Sequence, residues 1–193
     1  MKPYEVVIFF SGIERTLQGT AFNMRVDECR SATYAVQAFA GMNYGKFSDA
    51  QLRDVPYETY LRYRDRLPEN WAKRADHWYT EFFRVEKGAE AWRQGDIETY
   101  GKLSFESGRS SIYNWETGSD QLKTIYDLMT RTDGIYGGRF SGAGFKGCCM
   151  ALIDPAYEES ILRTVEEGYL KKFPELRGKY SAHICHSADG VSL

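Results

Sequence analysis

Residues 137–147 read GGRFSGAGFKG, with five glycines in eleven positions, and this stretch decides the fold. It lies between Ile135–Phe140 and Cys148–Ile153, whose apolar, aromatic and β-branched residues predict two strands joined by a glycine-rich turn. Glycines at this density let backbone N–H groups converge on an anion, and Arg139 and Lys146 add positive charge. The run contains no GxxxxGKS/T motif and is followed by a strand, so it is neither a P-loop nor a dinucleotide fingerprint. From these residues alone, a phosphate cradle and a tightly packed hairpin turn both stay open.

Outward from this turn, apolar residues recur at steps of three and four, which is the spacing of amphipathic helices. The predicted helices are Met24–Phe39, Tyr57–Arg66, Pro68–Gln94, Ile97–Tyr113, Asp120–Arg131 and Tyr157–Phe173. We expect Asn23 to cap the first helix and Met24 to lie on its core face. The expected core face of the helix that starts at Pro68 holds Trp71, Ala75, Trp78, Phe82, Val85, Ala89 and Trp92.

Two more strands are predicted, Val6–Phe10 at an edge of the sheet and Ala182–Cys185 near the end of the chain. Helices dominate and the strands are short, which indicates an α+β fold in which a small antiparallel sheet packs with about six helices. Without an internal repeat or linker, residues 1–193 predict one domain. Residues 106–111, ESGRSS, are unusually polar for a helix and indicate either a close helix contact or the wall of a ligand cleft.

Composition limits the function further. The net charge is −2 with no basic block, so neither a nucleic acid nor an anionic membrane surface is an expected partner. No apolar run approaches the roughly 18 residues that span a bilayer, and the start does not resemble a signal peptide, so we expect a cytoplasmic protein. The four cysteines form no CxxC pair or zinc-like spacing, so no metal site is expected. His77 is expected to be a packed or surface side chain.

Five segments resemble one family. GRFSGAGFKGCCMALI (138–153) is similar to the third signature of the GHMP kinases, in its galactokinase form GxRxTGAGFGGC. The other segments also resemble galactokinases, in the same order along the chain. They are VVIFFSGIERTLQGTAFNMRVDEC (6–29), which contains a YNxRRxxC-like pattern, LRDV (52–55), LPENWAKRADHWYTEFFRV (67–85) and GDIETYGKLSFESGRSSIYNWETGSDQL (95–122). Together they cover nearly the whole chain.

The resemblance implies a GHMP kinase C-terminal domain from a two-lobed enzyme. Such an enzyme transfers the γ-phosphoryl group of ATP, with Mg, to the anomeric hydroxyl of a sugar. The amino-terminal lobe of the family carries a GRTExxDH-like segment and a PxGxGLSSSA loop, and neither occurs here. We therefore expect a carboxy-terminal half that holds no catalytic residue, is inactive alone and needs an amino-terminal kinase lobe as partner. Residues 1–23 are expected to form a strand and turn at the lobe junction.

The resemblance also assigns site residues. The wall of the nucleotide and phosphate site would be Arg139, Ser141, Gly142, Ala143, Gly144, Phe145, Lys146 and Gly147. The sugar would contact Phe22, which replaces the family's Tyr, and Arg25, while Val26 replaces a second Arg. Galactose is the expected substrate. One alternative is galacturonate, because FSGAGFKGCC and SSIYNWETGS look closer to the galacturonokinase branch and Lys146 is a cation suited to a carboxylate. Another alternative is a non-catalytic sugar sensor or protein-interaction module.

Overall fold

The computed structural model describes residues 1–13, 22–142, 144–186, 188 and 190. Within these ranges the strands are β1 (Glu5–Phe10), β2 (Ile135–Phe140), β3 (Cys148–Ile153) and β4 (Ser181–Cys185). The helices are α1 (Phe22–Phe39), α2 (Tyr57–Tyr63), α3 (Glu69–Arg93), α4 (Ile97–Tyr113), α5 (Asp120–Met129) and α6 (Glu158–Lys172). The predicted α+β fold, with about six helices, is confirmed.

The four strands form one antiparallel sheet in the order β2-β3-β1-β4. β1 pairs with β3 on one side and with β4 on the other, so the prediction of an edge strand was wrong. The reason is visible in its composition, since Val7 and Phe9 are fully buried while Val6 and Ile8 bring apolar side chains to the opposite face. A strand that is apolar on both faces is typical of the middle of a sheet.

Contacts divide the described chain into two compact units. Unit 1 comprises residues 1–13, 87–109 and those from 117 onward, and it contains the whole sheet. Its buried side chains come mainly from the sheet and from α5 and α6, and they include Val7, Phe9, Leu122, Ile125, Met129, Phe140, Cys149, Ile153, Ile161, Val165 and Tyr169. The backbone of α4 also approaches β2 closely, because a Cβ on Gly101 would lie 2.1 Å from the carbonyl oxygen of Tyr136.

Unit 2 comprises residues 22–86 and 110–116 and is helical. Its core consists of Ala32, Val36, Leu52, Val55, Tyr60, Leu67, Ala72, Ala75 and Tyr79. The Tyr79 hydroxyl donates to the carbonyl oxygens of Leu52 and Val55, 3.1 and 2.7 Å away, and so ties α3 to the segment before α2. These bonds satisfy a buried phenol that would otherwise be costly to bury.

Three expectations about individual side chains or helix faces were wrong. α1 begins at Phe22, so Asn23 lies inside the helix instead of capping it, and Met24 is exposed. On the predicted core face of α3, Ala75 is buried whereas Phe82 and Val85 are exposed. The buried positions of α3 are Ala72, Arg74, Ala75, Tyr79, Gly88 and Ala91. The inward face therefore consists of one charged residue, one hydrogen-bonded tyrosine and four small residues, a combination that a pattern of large hydrophobic side chains does not identify.

Candidate functional site

The glycine-rich run begins within β2, which ends at Phe140, and it ends at Gly147, directly before β3 in unit 1. We call its part after Phe140 the loop. The Ser141 N–H donates to the carbonyl oxygen of Cys148 at 2.9 Å and closes the base of the loop. At its other end, the carbonyl oxygen of Gly147 accepts from the N–H of Ser11, also at 2.9 Å, which fixes the loop to the end of β1. The loop is thus held at both ends by the sheet.

Three glycines of the loop adopt left-handed backbone conformations. Gly142 and Gly144 each have φ of 76°, and Gly147 has φ of 100°. Gly144 is also buried, and a Cβ there would lie 2.7 Å from the ring of Phe140 and 3.0 Å from the hydroxyl of Thr117. Glycine is therefore required by both backbone conformation and space, as expected for the tightly packed turn. Left-handed glycines also form anion-binding concavities, so the packing requirement does not exclude a phosphate cradle.

The charged and aromatic side chains of the glycine-rich run differ in their exposure and in their contacts. Lys146 is exposed, and no ion pair is recorded for it among the described residues. Arg139, at the end of β2, donates from Nη1 to the hydroxyl of Ser107 at 2.6 Å. Phe145 is half-buried. Ala143, the remaining residue assigned to the phosphate wall, lies outside the described residues.

Ser107 belongs to the polar run of α4, and its partner explains part of that run. Ser107 is buried and contacts Arg139, while Gly108 brings α4 against α5. A Cβ at position 108 would lie 2.4 Å from the ring of Tyr126. The close helix contact predicted as one alternative is therefore present. Ser107 itself was not identified from the sequence, and only the unusual polarity of its segment could have pointed to it.

The two residues expected to contact a sugar lie in unit 2 on the first turn of α1. Phe22 is 47% exposed, so its ring is available to a ligand. Arg25 is 7% exposed, and its guanidinium is engaged by the turn that follows α4. Its Nε donates to the carbonyl oxygen of Trp115 at 2.8 Å, and its Nη2 donates to that of Glu116 at 3.4 Å. Arg25 positions this turn, and direct contact with a sugar stays a prediction.

Arg25 is part of an ion cluster in unit 2, in which Arg25, Glu28 and Arg74 are buried and Glu116 is exposed. Arg74, 1% exposed, contacts Glu28 at 2.5 Å and Glu116 at 2.7 Å, and it also donates to the carbonyl oxygen of Asn114. Arg25 reaches Glu28 at 3.2 Å, and Asn70 donates to the same carboxylate at 2.9 Å. The cluster holds α1, α3 and residues 114–116 together. Glu116 has a φ of 56°, a left-handed conformation that is uncommon outside glycine, and these cations hold it there.

The cluster sets the charge state of its carboxylates. Burial alone would raise the pKa of Glu28, but hydrogen bonds from Asn70 and Arg74 together with the nearby positive charges lower it. The hydrogen bond from Arg74 is the main cause that lowers the pKa of Glu116, and it is assisted by Lys73. Both groups are therefore ionised at neutral pH, and the buried guanidinium of Arg74 is neutralised.

His77 is a packed side chain, as expected. Its Nδ1 lies 2.9 Å from the hydroxyl of Ser110, and its ring lies 5.1 Å from the ring of Trp115. Among the described residues no three His, Cys, Asp or Glu side chains are grouped as metal ligands. No helix within those ranges is long and apolar enough to cross a bilayer.

Comparisons with known proteins agree with this geometry. A profile of the family described as GHMP kinases C terminal matches residues 89–171. The whole chain aligns with a galacturonokinase of Arabidopsis thaliana at 37% identity over 197 residues. The chain is a GHMP kinase C-terminal domain. Galactokinases of Roseiflexus sp. (strain RS-1) and Lacticaseibacillus casei (strain BL23) are each 31% identical to this domain over 188 residues, which cover 96% of it.

The same fold occurs in a solved galactokinase. The crystal structure of Lactococcus lactis galactokinase complexed with galactose matches this GHMP kinase C-terminal domain with a TM-score of 0.81. The identity is 24%, and the match covers 94% of this chain and 44% of that one. The chain spans 46%, 45% and 46% of the three curated relatives, which is about half of their length.

Proposed function

We propose that this chain is the C-terminal half of an ATP-dependent kinase that phosphorylates galacturonate at the anomeric hydroxyl. The observation that carries the proposal is the match to the Arabidopsis galacturonokinase, 37% identical over the whole chain against 31% for the two galactokinases. It favours the uronate alternative over galactose, which was the expected substrate. The amino-terminal lobe, supplied by the rest of a complete enzyme, is the proposed partner.

The glycine loop of unit 1 fits the phosphate end of ATP. Three of its glycines have the left-handed backbone conformation found in anion-binding loops, and both ends of the loop are fixed by hydrogen bonds to the sheet. When bound, ATP supplies the phosphoryl group. The role of this chain is to form one side of the phosphate site and so to limit the positions that the phosphates can occupy. This matters because positioning and charge neutralisation account for most of the catalysis in phosphoryl transfer.

The glycine-rich run lacks the carboxylate side chains that bind magnesium. The GHMP kinases use ATP and Mg, but residues 137–147 contain no Asp or Glu. Mg²⁺ prefers carboxylate, phosphate and water oxygens, so this loop does not offer the protein ligands for it. We therefore assign no metal ligand to this chain.

We assign Lys146 the recognition of the substrate carboxylate. Galacturonate differs from galactose by a carboxylate at C6, and Lys146 is exposed without a recorded ion pair. A lysine that is not already neutralised can form a charge-assisted hydrogen bond with such a group.

The experiment joins this chain to the amino-terminal part of the Arabidopsis galacturonokinase and measures ADP release with ATP, Mg and either sugar. We expect turnover of galacturonate. In the Lys146→Met variant, kcat/KM for galacturonate should fall about tenfold, on the scale of one charge-assisted hydrogen bond, while kcat/KM for galactose stays unchanged.

Lys87→Met is the matched control, because Lys87 is another exposed lysine of unit 1 and lies on α3. It should leave both values of kcat/KM unchanged. An equal loss for both sugars in Lys146→Met would contradict the carboxylate contact. A folded fusion that turns over neither sugar would contradict the kinase function and favour a non-catalytic module.

A further inference from the structure

A second candidate site lies in unit 2. A cavity of about 280 Å³ opens between α1, α3, the turn at Leu52–Asp54 and residue 115. We call it the aromatic pocket and define it by Val26, Cys29, Arg30, Arg53, Trp78 and Trp115, which line it.

Trp78 and Trp115 are both held in place by contacts with neighbouring residues of unit 2. The carbonyl oxygen of Trp115 accepts the 2.8 Å hydrogen bond from Arg25, and the His77 ring lies against the Trp115 indole. Trp78 contacts the ring of Tyr79 edge-on, with centroids 4.8 Å apart, and stacks on Phe82. The two indole rings are therefore already ordered in the free protein, and a ligand that enters the pocket loses less free energy to ordering side chains.

The lining carries positive charge and no negative charge. Arg30 and Arg53 line the cavity, and no Asp or Glu does so among the described residues. The charge of Arg30 is partly neutralised by Asp27, which does not line the pocket and whose Oδ1 lies 3.3 Å from Arg30 Nη1. Arg53 is exposed, and within the described ranges no acidic partner is recorded for it. Burial raises the pKa of Cys29 to about 11, so this thiol stays neutral and does not offset the arginines.

The volume of the aromatic pocket limits the size of the ligand that it can hold. Pockets for drug-sized ligands have volumes of roughly 300–1,000 Å³, so a cavity of 280 Å³ is suited to a single ring with one substituent group. Two aromatic surfaces suit the flat apolar face of such a ring, and guanidinium groups bind carboxylate and phosphate in paired geometry. We propose that the aromatic pocket binds an anionic monosaccharide, a hexuronate or a hexose phosphate, with Arg53 as the main anion contact.

The test uses the indole N–H signals of the 193-residue chain in ¹H–¹⁵N NMR. The chain has four tryptophans, Trp71, Trp78, Trp92 and Trp115, so each signal can be assigned with a single Trp→Phe variant. Galacturonate, galactose 1-phosphate, galactose and AMP are titrated without ATP. We expect at least one of the two anionic sugars to shift the Trp78 and Trp115 signals, and galactose to leave them in place. The comparison between carboxylate and phosphate identifies the anion.

Arg53→Gln should weaken this binding about five- to tenfold, because it removes one charge-assisted contact. Arg62→Gln is the control, an exposed arginine of the same unit on α2, and should leave the Kd unchanged. The proposal is overturned if galactose binds as tightly as the anionic sugars, if AMP binds more tightly, or if Arg53→Gln has no effect. Because no phosphoryl transfer is measured, either result is independent of the kinase proposal.

Discussion

Among the described residues, Arg74 is the largest fully buried side chain. It is 1% exposed and is neutralised by Glu28 and Glu116 in the cluster that also holds Arg25. A buried guanidinium is tolerated only while its carboxylate partners and hydrogen bonds are in place. Its location within LPENWAKRADHW, between two tryptophans, gives no sign that it faces inward.

Glu28→Gln should destabilise the protein by about 3 kcal/mol, because it removes a negative charge from beside a buried arginine. The free energy of unfolding is measured by urea denaturation at pH 7. Glu86→Gln, at an exposed position within α3 and in the same unit, is the control and should change it by less than about 0.5 kcal/mol. Equal effects of the two substitutions would contradict the importance of the cluster.

The same carboxylates make stability depend on pH. The pKa values of Glu28 and Glu116 are lower in the folded protein than their usual value of 4.5. Their contribution is therefore complete above the unfolded pKa and is lost as the pH falls below about 4.5 through the folded values. We expect the free energy of unfolding to decrease over this window, and to decrease less in Glu28→Gln. Parallel pH profiles for the two proteins would show that Glu28 is not responsible.

At the scale of elements, α4 and β2 approach each other closely at a pair of glycines in unit 1. Helix and strand backbones meet at Gly101 and Gly137, and a Cβ on Gly137 would lie 2.0 Å from the carbonyl oxygen of Gly101. Since the obstructing atoms are backbone, a side chain could be accommodated only by separating the two elements. This contact is the structural reason for glycine in both segments.

Gly101→Ala should therefore cost about 2–3 kcal/mol of unfolding free energy through overpacking, measured by thermal or urea unfolding. Gly88→Ala is a matched control in α3, where the nearest atom to a Cβ is the Tyr100 ring at 3.6 Å. That substitution should be neutral or stabilising by about 0.5–1 kcal/mol, because alanine favours a helix over glycine. If Gly101→Ala were as well tolerated as Gly88→Ala, the close approach would be refuted.

Most elements could be predicted from the sequence because local patterns specify them. The hairpin of β2 and β3 and the helix α4 have the predicted bounds, since glycine and the change of hydrophobic period mark their ends. Two features could not be predicted. The position of β1 within the sheet depends on pairing with β4, more than 170 positions away. The inward face of α3 depends on Arg74, whose burial is offset by partners on other segments.

For the molecule as a whole, the candidate site was only partly predictable. The glycine run could be located because its composition is unusual, and its family resemblance supplied a role. The position of Arg25 could not be inferred, because the turn that it holds lies 90 residues further along the chain. The aromatic pocket could not be predicted from the sequence either, because its lining residues come from four separate segments of the chain.

The chain alone should show no turnover of either sugar above background. Residues 1–193 lack the GRTExxDH-like and PxGxGLSSSA segments that the resemblance assigns to the amino-terminal lobe, and they span about half of the curated relatives. The check is ADP release at high enzyme concentration, with the fusion to the amino-terminal part of the galacturonokinase as positive control. Measurable turnover by the isolated chain would refute the view that its site is incomplete.

We propose that this GHMP kinase C-terminal domain belongs to a kinase for an anionic sugar. The most direct measurement is the ratio of kcat/KM for galacturonate to kcat/KM for galactose in the fused enzyme. We predict a ratio above about ten, because a site that neutralises a carboxylate leaves a cation unpaired when the carboxylate is missing. A ratio below one, with galactose as the better substrate, would contradict the account.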